Sequence, residues 1–268
     1  MLSPKAEKLI EQYLHLPFED ILNVRCPYFI NSRAKQRAQL RVLIGKGLPQ
    51  EIVEEAKIIS IQYHHGLFNC DGKCLISELT KTETDNPPEE CIKKFLVDNG
   101  LGIDCSGFVS HVLREHFQET RKIDIANKFY FVPLKNYFRY LICWLRPIEN
   151  MSVKKYASDQ NTKKIESVKE ISPGDLLIML ETGPQKNRNH IVLVTDNDGK
   201  IIKYAHARAW SMEGKYDHGV ARGEIRIINP TESLLKQEWV EFGTVNENNE
   251  TYLEAKNAKI FEVRRIKF

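Results

Sequence analysis

The hydrophobic and polar positions of the chain follow two different periods. From Cys105 onward, apolar side chains recur every three or four residues, which is the spacing of one face of an amphipathic helix. The face is formed by Cys105, Phe108, Val109, Val112, Leu113 and His116. Residues 190–195 and 201–206 instead form two short runs with β-branched and aromatic side chains. Runs of that length and composition predict two strands.

A hairpin is predicted from the three residues between these two strands. The loop ends in Gly199, and glycine there suits the left-handed conformation that three-residue hairpin loops require. With this loop His190 stands directly opposite His206, with Cβ atoms roughly 5 Å apart. We expect the shared face to point inward, because it also carries Val192, Val194, Ile202 and Tyr204.

The remaining segments give weaker patterns. Residues 49–63 predict a helix, and residues 32–44 predict a basic helix whose charged face is solvated. A proline-glycine turn precedes a predicted strand at residues 176–180. Residues 260–268 alternate like an edge or closing strand. The charged residues 154–170 predict a mobile surface loop, where a lid of an active site could lie.

Cys105 occupies a position that favours thiol chemistry. Asp104 directly precedes the predicted helix, where an aspartate is a good N-cap. A thiol in the first helical turn lies at the positive end of the helix dipole, which favours the thiolate. This placement is typical of a catalytic cysteine, although a small cysteine buried in a core helix fits the same pattern.

The two inward-facing histidines favour the catalytic interpretation. A thiol nucleophile needs a base to accept its proton, and the base needs a third group to fix its orientation. We therefore predict that Cys105 is the nucleophile, His190 the base and His206 the orienting group. The alternative is a pair of structural histidines, each with a hydrogen-bond partner in the core.

Four blocks of sequence occur in a characteristic order. They are Asp104-Cys105-Ser106-Gly107-Phe108-Val109, Pro173-Gly174-Asp175-Leu176, His190-Ile191-Val192-Leu193-Val194 and Tyr204-Ala205-His206. Over residues 90–230, about half of the chain, this order resembles the NlpC-type cysteine peptidases, papain-like endopeptidases of bacterial cell walls. The resemblance implies an α+β fold with a nucleophile helix packed on a small antiparallel sheet. It also implies amide hydrolysis through a thioester acyl-enzyme, usually on a peptidoglycan stem peptide.

The resemblance also suggests residues that bind the substrate, and here the chain departs from the family. Asp104 and Ser106 are expected to help position a substrate amine. Family members usually carry a tyrosine-glycine segment shortly before the cysteine, whose tyrosine contributes to the oxyanion site. Residues 91–104 contain no tyrosine. Tyr63, which precedes Gly66, is the candidate for a displaced equivalent; alternatively it closes the apolar stripe of the helix at residues 49–63.

Composition excludes some classes of function. The 268 residues, 42% of them hydrophobic and 28% charged, describe an ordinary folded chain with a substantial core. A net charge of +3 is too small to indicate a nucleic-acid partner. No apolar run reaches the roughly 18 residues of a transmembrane helix. The first residues lack the apolar core of a signal peptide, which predicts a cytoplasmic protein with reduced thiols and leaves export by an unrecognised route open.

A cluster of metal-binding residue types lies in the N-terminal third. His64, His65, Cys70 and Cys74 are of the types that bind zinc. However, the usual second pair of cysteines is absent, and two adjacent histidines rarely bind one ion. We favour a plain turn over zinc or a redox pair, and we predict no metal and no cofactor.

Three regions and one function follow from these observations. Residues 1–90 are predicted to form an N-terminal helical cap of unknown role, residues 91–230 an NlpC-like catalytic domain, and residues 231–268 a C-terminal extension that closes it. We expect a cysteine peptidase or amidase that cleaves a peptidoglycan stem peptide or a similar small peptide. The alternatives are an acyltransferase or other amidase on the same fold, and a binding module that has lost catalysis.

Overall fold

The computed structural model describes most of the chain in two compact units. The described residues are 1–18, 23–29, 41–65, 67–69, 71, 75, 87–131 and 137–268, without the side chains of 43 and 137–140. Unit 1 comprises Met1–Lys8, Cys105–His206 and Ala221–Phe268, and unit 2 comprises Leu9–Asp104 and Ala207–Val220. Both units are discontinuous in sequence. The division into three regions at residues 90 and 230 stays a prediction.

An eight-stranded sheet carries most of the regular structure of unit 1. Its strands are β1 (Thr162–Ile165), β2 (Leu176–Thr182), β3 (Arg188–Asn197), β4 (Ile201–Arg208), β5 (Gly219–Arg226), β6 (Glu238–Glu241), β7 (Thr244–Val245) and β8 (Ile260–Ile266). They are ordered β1-β8-β2-β3-β4-β5-β6-β7. β3 is antiparallel to both β2 and β4. The predicted strand at residues 176–180 is thus confirmed as β2.

The described α-helices precede the strands along the chain, except for one that lies between β7 and β8. The described helices are α1 (Pro4–Leu14), α2 (Pro49–Gln62), α3 (Pro88–Asp98), α4 (Cys105–Arg121), α5 (Tyr137–Leu145), α6 (Val153–Tyr156) and α7 (Glu250–Asn257). The predicted helix at residues 49–63 is therefore confirmed. The basic helix predicted at 32–44 falls mostly outside the described residues, and its described end is a 3-10 turn at Arg41–Ile44. Within the described chain, none of the helices has the length and apolar character to cross a bilayer.

The predicted amphipathic helix is confirmed as α4, which packs against β3. The apolar face begins at Cys105 and is buried at Phe108, Val109, Val112 and Leu113. One face of the sheet contributes to a hydrophobic core that Tyr252 of α7 joins; its strand residues include Leu177, Met179, Val192, Val194, Tyr204 and Trp239. His190 pairs with Met179 across β2 and β3, so the histidine continues this face. The fold is α+β, as predicted.

The predicted register of the hairpin is wrong by two residues. Leu193 pairs with Ala205 and Val194 with Tyr204, so His190 and His206 are not directly opposite. An irregularity after Val194 shifts the pairing, and β3 extends to Asn197 before the turn. A bulge of this kind adds a residue on one strand without a signal in the alternation pattern. Because the error is two residues, both histidines remain on the predicted face.

Two further predictions are corrected by the sheet. The segment at 154–170 is not a plain loop, because it contains the end of α6 and all of β1. Its lysines at 163 and 164 are exposed, whereas Thr162 and Ile165 at the two ends of β1 are buried. The strand predicted at residues 260–268 is confirmed as β8. Its placement at an edge is wrong, because β8 lies between β1 and β2, and its closing role stays a prediction. Alternation indicates one solvated face, which interior antiparallel strands also have.

Candidate active site

Helix α4 places Cys105 at its N-terminus. Cys105 is the first residue of the helix, is 4% exposed and is a reduced thiol. The helix packs against β3, the strand that carries His190. The N–H groups of a first helical turn have no partners within the helix and favour negative charge. This location therefore favours the thiolate form of Cys105 and an anion beside it.

The two residues that flank Cys105 have partners inside the protein. Oδ1 of Asp104 accepts a hydrogen bond of 2.8 Å from Nζ of Lys46, and Lys46 is buried. Oγ of Ser106 donates to the carbonyl oxygen of Met151 over 3.3 Å. The predicted role of Asp104 and Ser106 in binding a substrate amine remains a prediction. Any such amine would compete with the Lys46 ammonium for the carboxylate of Asp104.

The structure brings the two predicted histidines into direct contact. Nε2 of His190 and Nδ1 of His206 lie 2.7 Å apart, and their ring centroids are separated by 5.0 Å. His190 is 5% exposed and His206 is fully buried. The shifted register makes the contact diagonal across β3 and β4, a distance that long or aromatic side chains span. A contact between these two ring nitrogens is the geometry that an orienting residue and its base require, and the tautomers of the rings decide which nitrogen donates.

Glu241 contacts His206 of this pair, and the sequence analysis did not predict it. Nε2 of His206 lies 3.3 Å from Oε1 and 3.2 Å from Oε2 of Glu241. The hydroxyls of Tyr204 and Thr251 donate to Oε2 over 2.9 and 3.0 Å. Glu241 is 1% exposed, so its carboxylate is held by protein groups deep in unit 1.

The sequence contained a weak signal for Glu241. In β6 the buried positions are Trp239 and Glu241, and the other two positions are partly exposed. A strand with period two therefore places this glutamate on the same face as a core tryptophan. A charged residue on an inward face is unusual and indicates a buried partner. The identity of that partner could not be derived locally, because His206 is 35 residues away in sequence.

The predicted oxyanion tyrosine lies in unit 2. Tyr63 forms the C-cap of α2, is 54% exposed and has its ring beside that of His65. Its proposed role in catalysis stays a prediction. A different tyrosine is connected more directly to the nucleophile segment: the backbone of Tyr28 forms a parallel bridge with Ile103, two residues before Cys105 in the chain.

Two of the four residues of metal-binding type in the N-terminal third, Cys70 and Cys74, fall outside the described residues. His65 packs its ring edge-on against Phe95, with centroids 5.4 Å apart. Among the residues that the structure describes, no group of three or more histidine, cysteine or acidic side chains has the arrangement of a metal site.

Unit 2 has a separate group of buried ionisable residues. Burial, and secondarily the charge of Lys93, lowers the pKa of His218 to about 4. Nδ1 of His218 accepts a hydrogen bond of 3.1 Å from the backbone N–H of Tyr28. Burial also lowers the pKa of Lys93 to about 8 and raises the pKa of Cys26 above its usual range. A raised pKa makes Cys26 a weak nucleophile at neutral pH.

Comparison with known proteins does not add a relative. No protein family, curated protein or solved structure matches this chain. The functional argument therefore depends on the residues and their geometry.

Proposed function

We propose that this protein is a cysteine hydrolase that cleaves an amide bond through a thioester acyl-enzyme. One observation carries the proposal: the buried 2.7 Å contact between Nε2 of His190 and Nδ1 of His206. Since Nε2 of His190 is engaged by His206, Nδ1 is the nitrogen through which His190 would exchange a proton with Cys105. A base whose second nitrogen is fixed by a buried partner is the arrangement that thiol catalysis requires.

The reaction has two halves in this proposal. The Cys105 thiol transfers its proton to Nδ1 of His190, and the thiolate attacks the amide carbonyl carbon. The resulting oxyanion is stabilised by N–H groups at the start of α4, and the leaving amine takes the proton back from His190. Water, deprotonated by His190, then attacks the thioester, releases the acid and restores the thiol. His206 keeps the His190 ring in one orientation throughout.

The substrate class comes from the resemblance to NlpC-type peptidases. Four ordered sequence blocks support a peptidoglycan stem peptide or a similar small peptide as the substrate. The structure supports the general part of this resemblance, because the cysteine begins a helix and the histidines lie on neighbouring antiparallel strands. No metal or cofactor takes part in the proposed steps.

A turnover assay with matched variants tests the proposal. The purified protein is incubated with a synthetic stem peptide, and the newly formed amine and acid are followed by mass spectrometry. Cys105→Ala should abolish cleavage, whereas Cys143→Ala, at another buried cysteine, should preserve it. Cleavage by Cys105→Ala at the wild-type rate would contradict the assignment. Hydroxylamine is added in parallel, because a hydroxamate formed at the expense of acid reveals acyl transfer.

A further inference from the structure

We infer that Glu241 is a positioning residue of the proposed active site, where its carboxylate fixes the protonation pattern of both histidines and stabilises the charge that His190 acquires. This inference rests on the proposed function, because it takes Cys105 as the source of the proton. It adds Glu241 as a fourth residue to the predicted three. The proposed series of contacts then runs from Cys105 through His190 and His206 to Glu241.

The surroundings of Glu241 favour an ionised carboxylate. Its oxygen Oε2 receives hydrogen bonds from the hydroxyls of Tyr204 and Thr251 and lies 3.2 Å from Nε2 of His206. A buried carboxylate is tolerated when several donors surround it, and hydrogen bonds to the charged form favour that form. Two titratable side chains contact it: the hydroxyl of Tyr204 donates to Oε2, and His206 approaches both carboxylate oxygens through Nε2.

An ionised Glu241 determines the direction of every proton along the contacts. A carboxylate only accepts hydrogen bonds, so Nε2 of His206 must carry a proton and donate it. Nδ1 of neutral His206 then holds a lone pair and accepts from Nε2–H of His190. Neutral His190 consequently has its lone pair on Nδ1, the nitrogen that would receive the Cys105 proton. Without the carboxylate, His206 could carry its proton on Nδ1 and donate it to Nε2 of His190, which would leave neutral His190 protonated on Nδ1 and unable to accept the Cys105 proton.

The Glu241 carboxylate also stabilises the positive charge that His190 acquires. When Cys105 transfers its proton, His190 becomes an imidazolium, and a negative group at the far side of His206 favours that state. In a buried setting this attraction is screened much less than in water. Glu241 therefore stabilises the thiolate–imidazolium pair relative to the neutral pair. The expected consequence is a lower pH midpoint for the reactivity of Cys105.

The competing explanation is that Glu241 has a purely structural role. Replacing its carboxylate with an amide distinguishes that role from the proposed one. Glu241→Gln keeps the size of the side chain and removes its charge. The matched control is Asp175→Asn, which neutralises another fully buried carboxylate of unit 1, bound by Nε of Arg265 at 2.7 Å. Each full-length protein is treated with iodoacetamide from pH 5 to 10, and the alkylation of Cys105 is measured by peptide mass spectrometry.

The proposal predicts that Glu241→Gln raises the midpoint of the Cys105 profile by about one pH unit, the size expected for loss of a nearby opposite charge. Asp175→Asn should leave the midpoint unchanged even where it lowers the melting temperature. Glu241→Asp, which keeps the charge, should keep the midpoint close to the wild-type value. A folded Glu241→Gln protein with the wild-type midpoint overturns the inference.

A second variant keeps the test decisive if Glu241→Gln fails to fold. Tyr204→Phe removes only the hydroxyl that donates to Oε2, and it should raise the midpoint by a smaller amount. If Glu241→Gln is unfolded, an unchanged midpoint in Tyr204→Phe would assign Glu241 to stability alone. The wild-type profile is read separately: if Cys105 reacts like an ordinary thiol, the proposed function fails, and the inference falls with it.

Discussion

Oε2 of Glu241 lies 3.2 Å from Nε2 of His206, and both side chains are buried. The contact connects β6 to β4, while His206 in turn contacts His190 on β3. Three strands thus each contribute one polar side chain to a single buried chain of hydrogen bonds. This arrangement explains how two histidines can occupy the apolar interior of the sheet without loss of hydrogen bonding.

The two histidines should differ in their effect on turnover. His190→Ala removes the proposed base and should lower the rate of stem-peptide cleavage by about 10²-fold or more. His206→Asn removes the ring but retains a polar side chain, so it should lower the rate less, by about tenfold, as for other groups that orient a functional residue. Initial rates at pH 7 measure both. A larger loss in His206→Asn than in His190→Ala would reverse the assigned roles.

Lys46 should limit the binding of a substrate amine if Asp104 provides that site. The Lys46 ammonium already contacts the carboxylate of Asp104 at 2.8 Å. Lys46→Met removes this competitor, so KM for a peptide with a free amino terminus should fall several-fold, while an N-acetylated peptide should show no such gain. The comparison of the two peptides controls for general changes in folding. Equal effects on both would remove Asp104 from the substrate site.

Two phenylalanine variants test whether a tyrosine hydroxyl contributes to the proposed oxyanion site. If Tyr63 provides the donor, Tyr63→Phe should lower kcat by about 10²-fold with little change in KM. Tyr28→Phe is the paired variant, because the backbone of Tyr28 bridges Ile103, close in sequence to the nucleophile. Wild-type kcat in Tyr63→Phe together with a large loss in Tyr28→Phe would transfer the role to Tyr28. Wild-type kcat in both would leave backbone N–H groups as the donors.

His218 should make the protein sensitive to acid. Burial lowers its pKa from 6.5 to about 4, so between these pH values the unfolded chain binds a proton that the folded chain does not. Its contribution to stability is complete above pH 6.5 and lost as pH falls through this window, by about 3 kcal/mol in total. The free energy of unfolding is measured by urea denaturation at pH 7 and 5.

His218→Gln is neutral at both pH values and should therefore show a smaller loss of stability on acidification than the wild type. His15→Gln, at an exposed position, serves as the control and should retain the wild-type difference. An undiminished acid loss in His218→Gln would show that another group causes it.

Local patterns were sufficient for the parts of the site that lie within one element. The 3.6-residue period that begins at Cys105 defines α4, and short β-branched runs define the strands of His190 and His206. The exact pairing could not be predicted, because the irregularity after Val194 leaves no mark in the alternation. Because the register error was two residues, His190 and His206 still lie on the predicted face of the sheet.

Long-range contacts were beyond local patterns. Glu241 reaches His206 across β5 from a strand whose place in the sheet depends on several connections.

The segment at 154–170 was misinterpreted for a related reason. Its lysines indicate solvent exposure, but β1 also has buried positions that pair with β8, which begins about 100 residues later. Burial created by a distant partner is not encoded in the charge of the segment itself.

The central claim is that Cys105 reacts as a thiolate supported by His190. Its most direct test is the rate of Cys105 alkylation by iodoacetamide against pH, in the wild type and in His190→Ala. Cys91, a partly exposed thiol, and Cys26, a buried one, are internal controls in the same molecule. We expect fast, selective alkylation of Cys105 with a midpoint well below the usual value of about 8.5, and we expect this reactivity to be lost in His190→Ala. Alkylation of Cys105 no faster than that of Cys91, and unchanged in His190→Ala, would contradict it.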